Sequence, residues 1–296
     1  MKKAVFIPLI AVGSLILTAG IFFGVGLVVT NHNIKQTMNV TEINDDVRNI
    51  NVDVSVSDLE FKVANDGKSK IITEESNKFY HEVKVENNTL KITQNDTRNG
   101  LERFFNFNLN YMKVYVYLPM GNYGDLQINS STGDTLIPEG YTFSNVTSRV
   151  STGSTKISSH VINKLDLKAS TGNIEVEKAK PLSINIETST GNIKVKDSFP
   201  LSMDVKASTG HVDLENVIAG TSLKVETSTG DITLRSCDSL SIEAKAFTGN
   251  VNMSLLSGKI FDIYTTTGKR NVPTSSTGLG VCKVSTSTGD INISVL

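Results

Sequence analysis

Ser170-Thr171-Gly172-Asn173-Ile174-Glu175-Val176 is followed by Ser189-Thr190-Gly191-Asn192-Ile193-Lys194-Val195. The unit continues in both directions. Its glycine recurs at Gly133, Gly153, Gly172, Gly191, Gly210, Gly230, Gly249, Gly268 and Gly289, with spacings of 20, 19, 19, 19, 20, 19, 19 and 21 residues. Nine copies at a nearly constant period define a repeat architecture. Four residues after the glycine, from Ile137 and Ile157 through Val195 to Ile293, every copy is apolar. Apolar and polar positions alternate, which is the period of a strand and not of a helix. Each repeat therefore reads strand, Thr-Gly corner, strand, and a second corner carrying turn residues such as Pro181, Pro200, Gly220 and Gly258. Glycine suits a corner that needs positive φ. The slot three before it holds Ala or Thr (Ala169, Thr188, Ala207, Thr227), leaving room where the chain bends inward.

The polar columns settle how repeats meet. Four before the glycine stand Lys168, Glu187, Lys206, Glu226 and Lys245, and five after it Glu177, Lys196, Glu215 and Arg235. The sign alternates from one repeat to the next. That pattern is favourable where consecutive repeats stack in register at about 4.8 Å, because opposite charges then face each other. Separate hairpin modules give no reason for it. The fold class expected is all-β, a parallel β-solenoid with coils of about 19 residues.

Residues 31–125 lack the tetrapeptide but remain strand-like, as in Ile50-Asn51-Val52-Asp53-Val54-Ser55-Val56 and in Val114-Tyr115-Val116-Tyr117-Leu118-Pro119. We read them as irregular first coils that cap the N-terminal edge. Upstream, Met1-Lys2-Lys3 precedes an uncharged stretch, residues 4–29, long enough to cross a bilayer. It outlasts a cleaved signal's apolar region, so an uncleaved signal anchor is expected, with Lys2 and Lys3 cytoplasmic. The chain then divides into residues 1–30 (cytoplasmic start and anchor), 31–125 (membrane-proximal β region) and 126–296 (regular solenoid). The lipid bilayer is the first expected partner, and the localisation is a single-pass cell-membrane protein with its C-terminal domain extracytoplasmic.

Composition narrows the function. The 296 residues carry 29 Lys+Arg against 30 Asp+Glu, so a nucleic-acid partner is not expected. The four histidines share no repeat column and no metal-ligand spacing. His211 takes the corner slot of Asn and Asp and reads as a solvated turn residue. Gly67-Lys68-Ser69 ends like a phosphate loop, but Lys62 stands where the first glycine is required. Cys237 and Cys282 fall in different columns, about two coils apart, and a disulfide is not expected. No catalytic, cofactor-binding or metal-binding residue is assigned, and no cofactor is expected.

The run from Val114 to Pro119, followed by Ser-Thr-Gly-Asn/Asp-Ile-x-Val units, resembles the bacterial "putative adhesin" domain of unknown function over roughly residues 40–296. The resemblance implies an envelope protein with a solenoid domain, often behind one N-terminal membrane helix, and no established catalytic residues. This chain departs from its own repeat where Arg270 takes an inward slot and Pro273 a strand slot, so regular stacking of residues 269–283 is not expected.

Two features could serve partners. The Ser-Thr corners could present a hydroxyl row of the glycan- or ice-binding kind; the alternative, which we expect, is that they hydrogen-bond their own turns. Phe105, Phe107, Tyr115 and Tyr117 would form a sticky patch if one strand face were exposed; burial on both faces is the competing reading. The leading expectation is a non-enzymatic, adhesin-like surface scaffold or interaction module that meets an extracytoplasmic protein or glycan. The alternatives are an accessory in envelope-stress signalling that contacts a membrane partner, and a polysaccharide-active enzyme. Dispersed charges argue against the enzyme. Because the chain stops inside strand Ile291-Asn292-Ile293-Ser294-Val295, this edge is expected to be bare and to support a homodimer.

Overall fold

A computed structural model of the chain describes residues 37–76, 78–99, 112–276 and 280–296. The expected anchor at 4–29, and Phe105 and Phe107, lie outside the described residues. Among these residues every regular element is a strand, and no helix is long and apolar enough to cross a membrane.

The central coils stack in parallel and in register. Strand Ile174–Glu177 lies between Thr155–Ile157 and Ile193–Ser198, with Ile174 facing Ile193 and Val176 facing Val195. On the second face Ser183–Thr190 pairs with Ser202–Thr209, placing Ile186 on Val205 and Glu187 on Lys206. Alternation sends Ile184, Ile186, Ile193 and Val195 inward, where all are buried. Each such side chain contributes roughly 1.5–3 kcal/mol relative to exposure. The fold is thus the parallel β-solenoid that the repeat dictates.

The coil turns at the glycine and again at a residue in the left-handed region, Lys178, Asp197, Asn216 or Ser236, with φ of 59°, 47°, 53° and 51°. Past that second bend the chain crosses a short side, residues 217–219 in one coil, before entering the second face. A long side such as Ser183–Thr190 and a shorter one such as Ile174–Glu177 therefore meet at the glycine corner, and a third, short side closes the section opposite it.

At the N-terminal end, chain order and stacking order part. Strand Asn49–Val63 spans both faces and pairs with Gly121–Thr132 on one side. On its other side lie Thr89–Asp96 and Met112–Leu118. Beyond these the ladder turns antiparallel, through Ser69–Glu75 and Thr37–Ile43 on one face and Phe79–Glu86 on the other. The hairpin turn at Asn87-Asn88 has both residues at positive φ, 51° and 56°, as a two-residue primed turn requires.

The C-terminal end corrects one expectation. Strand Ile232–Thr248 pairs directly with Val281–Thr288, and Ile260–Thr267 lies outside that strand. The last coil in the chain is therefore the penultimate coil of the stack. Ile291–Val295 is covered by Val251–Leu255 within and, at Ile291 and Asn292, by Arg270–Asn271 without. The outermost coil among the described residues is the irregular one with Arg270 and Pro273, and the segment after it caps its first strand: Ser275 Oγ accepts the Phe261 amide at 3.0 Å and Ser276 N donates to Lys259 O. Arg270 donates from Nη1 to the Ile263 carbonyl at 3.3 Å and is exposed, and its slot can be cationic because no further coil stacks on it among the described residues. The tuck also brings the coils of Cys237 and Cys282 side by side, one interval apart and not two. Both thiols stay free and buried. Burial pushes their pKa up to about 11 and about 12, so they behave as small apolar groups.

Candidate functional surface

The glycine corner is built from two ladders. Each corner glycine from Gly133 to Gly289 sits at φ between 135° and 155°. A Cβ on Gly191 would lie closer than 3.0 Å to the Gly172 carbonyl, and one on Gly172 would meet Gly153 in the same way. Glycine is required here by backbone conformation and by close approach together. At the head of the column Gly133 abuts Ser57, which fills the slot where the tetrapeptide is absent.

The second ladder explains the Asn, Asp and His that follow the glycine. Asn173 Oδ1 accepts the Asn192 amide at 2.9 Å, Asn192 Oδ1 accepts that of His211 at 2.8 Å, and His211 Nδ1 accepts that of Asp231 at 3.0 Å. Asp231, Asn250 and Asp290 carry it on to the Lys269 amide. The slot calls for a short side-chain acceptor. His211 meets the call through Nδ1, which assigns its proton to Nε2. Lys269 has no acceptor, and the ladder ends on it.

The corner hydroxyls divide differently from expectation. The threonines three before the glycine close onto the corner: Thr188 Oγ1 donates to Gly172 O at 3.3 Å and Thr227 Oγ1 to Gly210 O at 3.1 Å. The Ser-Thr pairs next to the glycine, such as Ser170-Thr171, Ser189-Thr190, Ser208-Thr209 and Ser228-Thr229, are exposed. Their hydroxyls make no protein hydrogen bond among the described residues. They form a solvent-facing row at the coil spacing of about 4.8 Å.

Tyr115 and Tyr117 stand together on the outer side of Met112–Leu118 while Val114, Val116 and Leu118 fill the core. Neither tyrosine is buried on both sides. Lys62 Nζ lies 4.2 Å from the Tyr115 ring centre and Lys70 Nζ 5.0 Å from that of Tyr117, so two cations partly roof the patch.

One polar constellation was not foreseen. Ser57 Oγ lies 3.4 Å from His81 Nε2, and His81 Nδ1 lies 3.9 Å from Glu75 Oε1. These are the residue types of a hydrolytic triad, but Ser57 is 1% exposed and the His81 side chain 0%, so both are sealed from substrate. Burial lowers the His81 pKa to about 4 against the opposing pull of Glu75. The three residues share no spacing or motif, and only the folding of the antiparallel cap unites them. Further along, burial works against ionisation of Asp166. Hydrogen bonds from Arg149, Asn185 and Lys164 outweigh it and hold the carboxyl at about 2. No cluster of three or more His, Cys, Asp or Glu that could hold a metal occurs among the described residues.

The stacked coils and acceptor-lined corner define a parallel β-solenoid of the repeat class. The chain belongs to the Toastrack DUF4097 family, a domain of unknown function, whose model matches residues 47–294. No curated protein matches it. Among solved structures it is similar to a "putative lipid binding protein" from Parabacteroides distasonis, at 16% identity over 87% of this chain and 97% of that one, with a TM-score of 0.53. It is also similar to a "putative adhesin" from Bacteroides fragilis, at 15% identity over 88% and 97%, with a TM-score of 0.49. At these identities the likeness concerns the fold.

Proposed function

We propose that the chain is a non-enzymatic, adhesin-like interaction module of the cell envelope. In this reading residues 4–29 hold it in the cell membrane and the solenoid stands outside the cytoplasm. The observation that carries the reading is the exposed row of Ser-Thr hydroxyls along the glycine corner. The coils beneath it are locked by backbone and acceptor ladders, so the row is rigid, and it repeats one chemistry over many coils. A rigid row of unspent donors and acceptors suits an extended partner such as a surface glycan.

The test uses the full chain expressed in a bacterial host and crosslinked through a cysteine at Ser208, since Cys237 and Cys282 are buried. An impermeant thiol reagent on intact cells should label Ser208→Cys, and capture through it should recover envelope polysaccharide. Failure to label the intact cells would overturn the topology. Recovery of a membrane histidine kinase instead would replace the scaffold reading by that of a signalling accessory.

A further inference from the structure

The short side of the coil, opposite the glycine corner, carries a second repeating surface of different chemistry. Ile162, Leu182, Leu201 and Leu240 mark its junction with the second face, and Phe199 and Ile218 project from the side itself. All six are exposed, Leu182 at 56% and Leu240 at 63%. Phe199 and Ile218 each stand between two buried neighbours, and Ile162, Leu182, Leu201 and Leu240 each follow a buried residue, so the alternation that fills the core also turns these side chains outward. Register places Phe199 beside Lys180, whose Nζ lies 5.4 Å from the ring centre. The backbone beneath is satisfied from coil to coil: Leu201 N donates to Pro181 O, and Ser202 N to Leu182 O. An added strand therefore finds no free ladder here.

We propose that this apolar ridge rests on a lipid bilayer, its leucine, isoleucine and phenylalanine side chains entering the headgroup–acyl boundary. The proposal depends on the membrane-anchored reading above. Three observations select lipid over other occupants. The uncharged stretch ends at Val29, and the described chain resumes at Thr37. The intervening residues span at most about 25 Å, which keeps the solenoid within reach of the surface. The ridge crosses four coil intervals, about 19 Å, at roughly 10 Å width, so it offers on the order of 200 Å². A stable dimer needs about 800 Å² per partner, whereas lipid contact sets no such minimum. Charges around the ridge nearly cancel: Lys164 pairs with Asp166, Lys178 with Glu139 and Lys259 with Asp238, and Lys180 and Asp197 carry opposite signs. Burial of apolar side chains and not attraction to anionic headgroups then drives the contact, so it should be insensitive to salt. A solenoid lying on this side points the hydroxyl row away from the membrane.

The full chain, reconstituted into phosphatidylcholine vesicles, tests this. An environment-sensitive fluorophore is placed on Leu201→Cys, on Leu240→Cys or, at the opposite corner, on Ser208→Cys. The ridge probes should shift to the blue and lose at least half their emission when the lipid acyl chains are brominated. The Ser208→Cys probe should do neither, and added salt should change nothing. A chain that fails to float with the vesicles would defeat the anchored reading and this proposal with it. A chain that floats, with ridge probes blind to brominated lipid, would defeat the ridge proposal alone. A blue shift that ignores bromine and grows with the protein-to-lipid ratio would overturn it in favour of a second copy.

Discussion

Gly268 packs against Gly289, which comes later in the chain, and Gly289 packs against Gly249. The column of corner glycines thus runs in chain order until Gly249 and then reverses its last two members. This one inversion decides which coil is outermost, and the predictions about the C-terminal end follow from it.

A proline at Asn292 is expected to lower the thermal midpoint of the whole solenoid. Asn292 faces Asn252 on one side and Asn271 on the other, so the substitution strikes an interior ladder. Calorimetry checks this, with Ile260→Pro, at the outer coil, as the milder comparison. Equal midpoints for the wild type and Asn292→Pro would contradict the tucked order.

Gly191→Ala should destabilise by about 3 kcal/mol or more, combining strained φ with a backbone collision. Gly121→Ala, with no atom within 4 Å of its Cβ and no positive φ, should change stability by less than about 0.5 kcal/mol. Urea unfolding of the two variants separates them.

Lys168 Nζ meets Glu187 Oε2 at 2.7 Å, whereas Lys206, the other cation in register with Glu187, turns to Asp204 at 3.3 Å. Glu187→Lys should cost about 1 kcal/mol or less, diminishing in high salt. Adding Lys168→Glu should restore most of the loss, and adding Lys206→Glu should restore less. A double-mutant cycle at low and high salt measures both.

His81 makes the N-terminal cap acid-sensitive. Its pKa falls from 6.5 to about 4 on folding, so between those values the unfolded chain binds a proton that the folded chain refuses. Stability is complete above pH 6.5 and declines as pH drops toward 4, by up to about 3 kcal/mol. His81→Gln should flatten that segment of the pH profile. An unchanged slope would assign the acid sensitivity to another group.

His211→Asn should be nearly neutral, since Asn restores the acceptor for Asp231, while His211→Val should cost about 1 kcal/mol. Hydrogen exchange at the Asp231 amide reports the difference directly.

The solenoid was legible because the repeat states its register twice, once in the glycine column and once in the alternating charges, and parallel stacking satisfies both. The alternation of Lys168 and Glu187 also implied the contact that forms. The tuck was not legible in the same way. Both candidate neighbours of Ile232–Thr248 carry acceptable residues in every slot, and only Lys269, Arg270 and Pro273 mark one of them as unfit for the interior. Those departures read as irregular stacking because a repeat pattern carries no signal for order in space. Ser198 shows the same limit at a smaller scale. A polar residue near a corner suggests exposure, yet it is buried and spends its hydroxyl on Lys196 O. The apolar ridge had no comparable signal, because Thr221 stands between Leu201 and Leu240 in its column. It carried no meaning until the short side showed its side chains facing outward.

The inverted pair at Gly268 and Gly289 also bears on how the chain acquires its shape. Among the regular coils between residues 121 and 255 a coil can dock as soon as it is made, because its neighbour lies about one repeat back. The closing coil must instead find a partner about two repeats earlier, as the contact of Asp290 with Asn250, 40 residues apart, illustrates. Doubling the loop adds only about 0.6 kcal/mol of closure entropy, so the equilibrium is barely affected. The timing is affected more, because non-local closures slow folding. Residues 260–271 emerge first and have nowhere permanent to sit until the final segment wedges in beneath them. Assembly of this rod therefore includes an insertion and not only additions, and the coil of residues 260–271 settles only when residues 281–295 arrive.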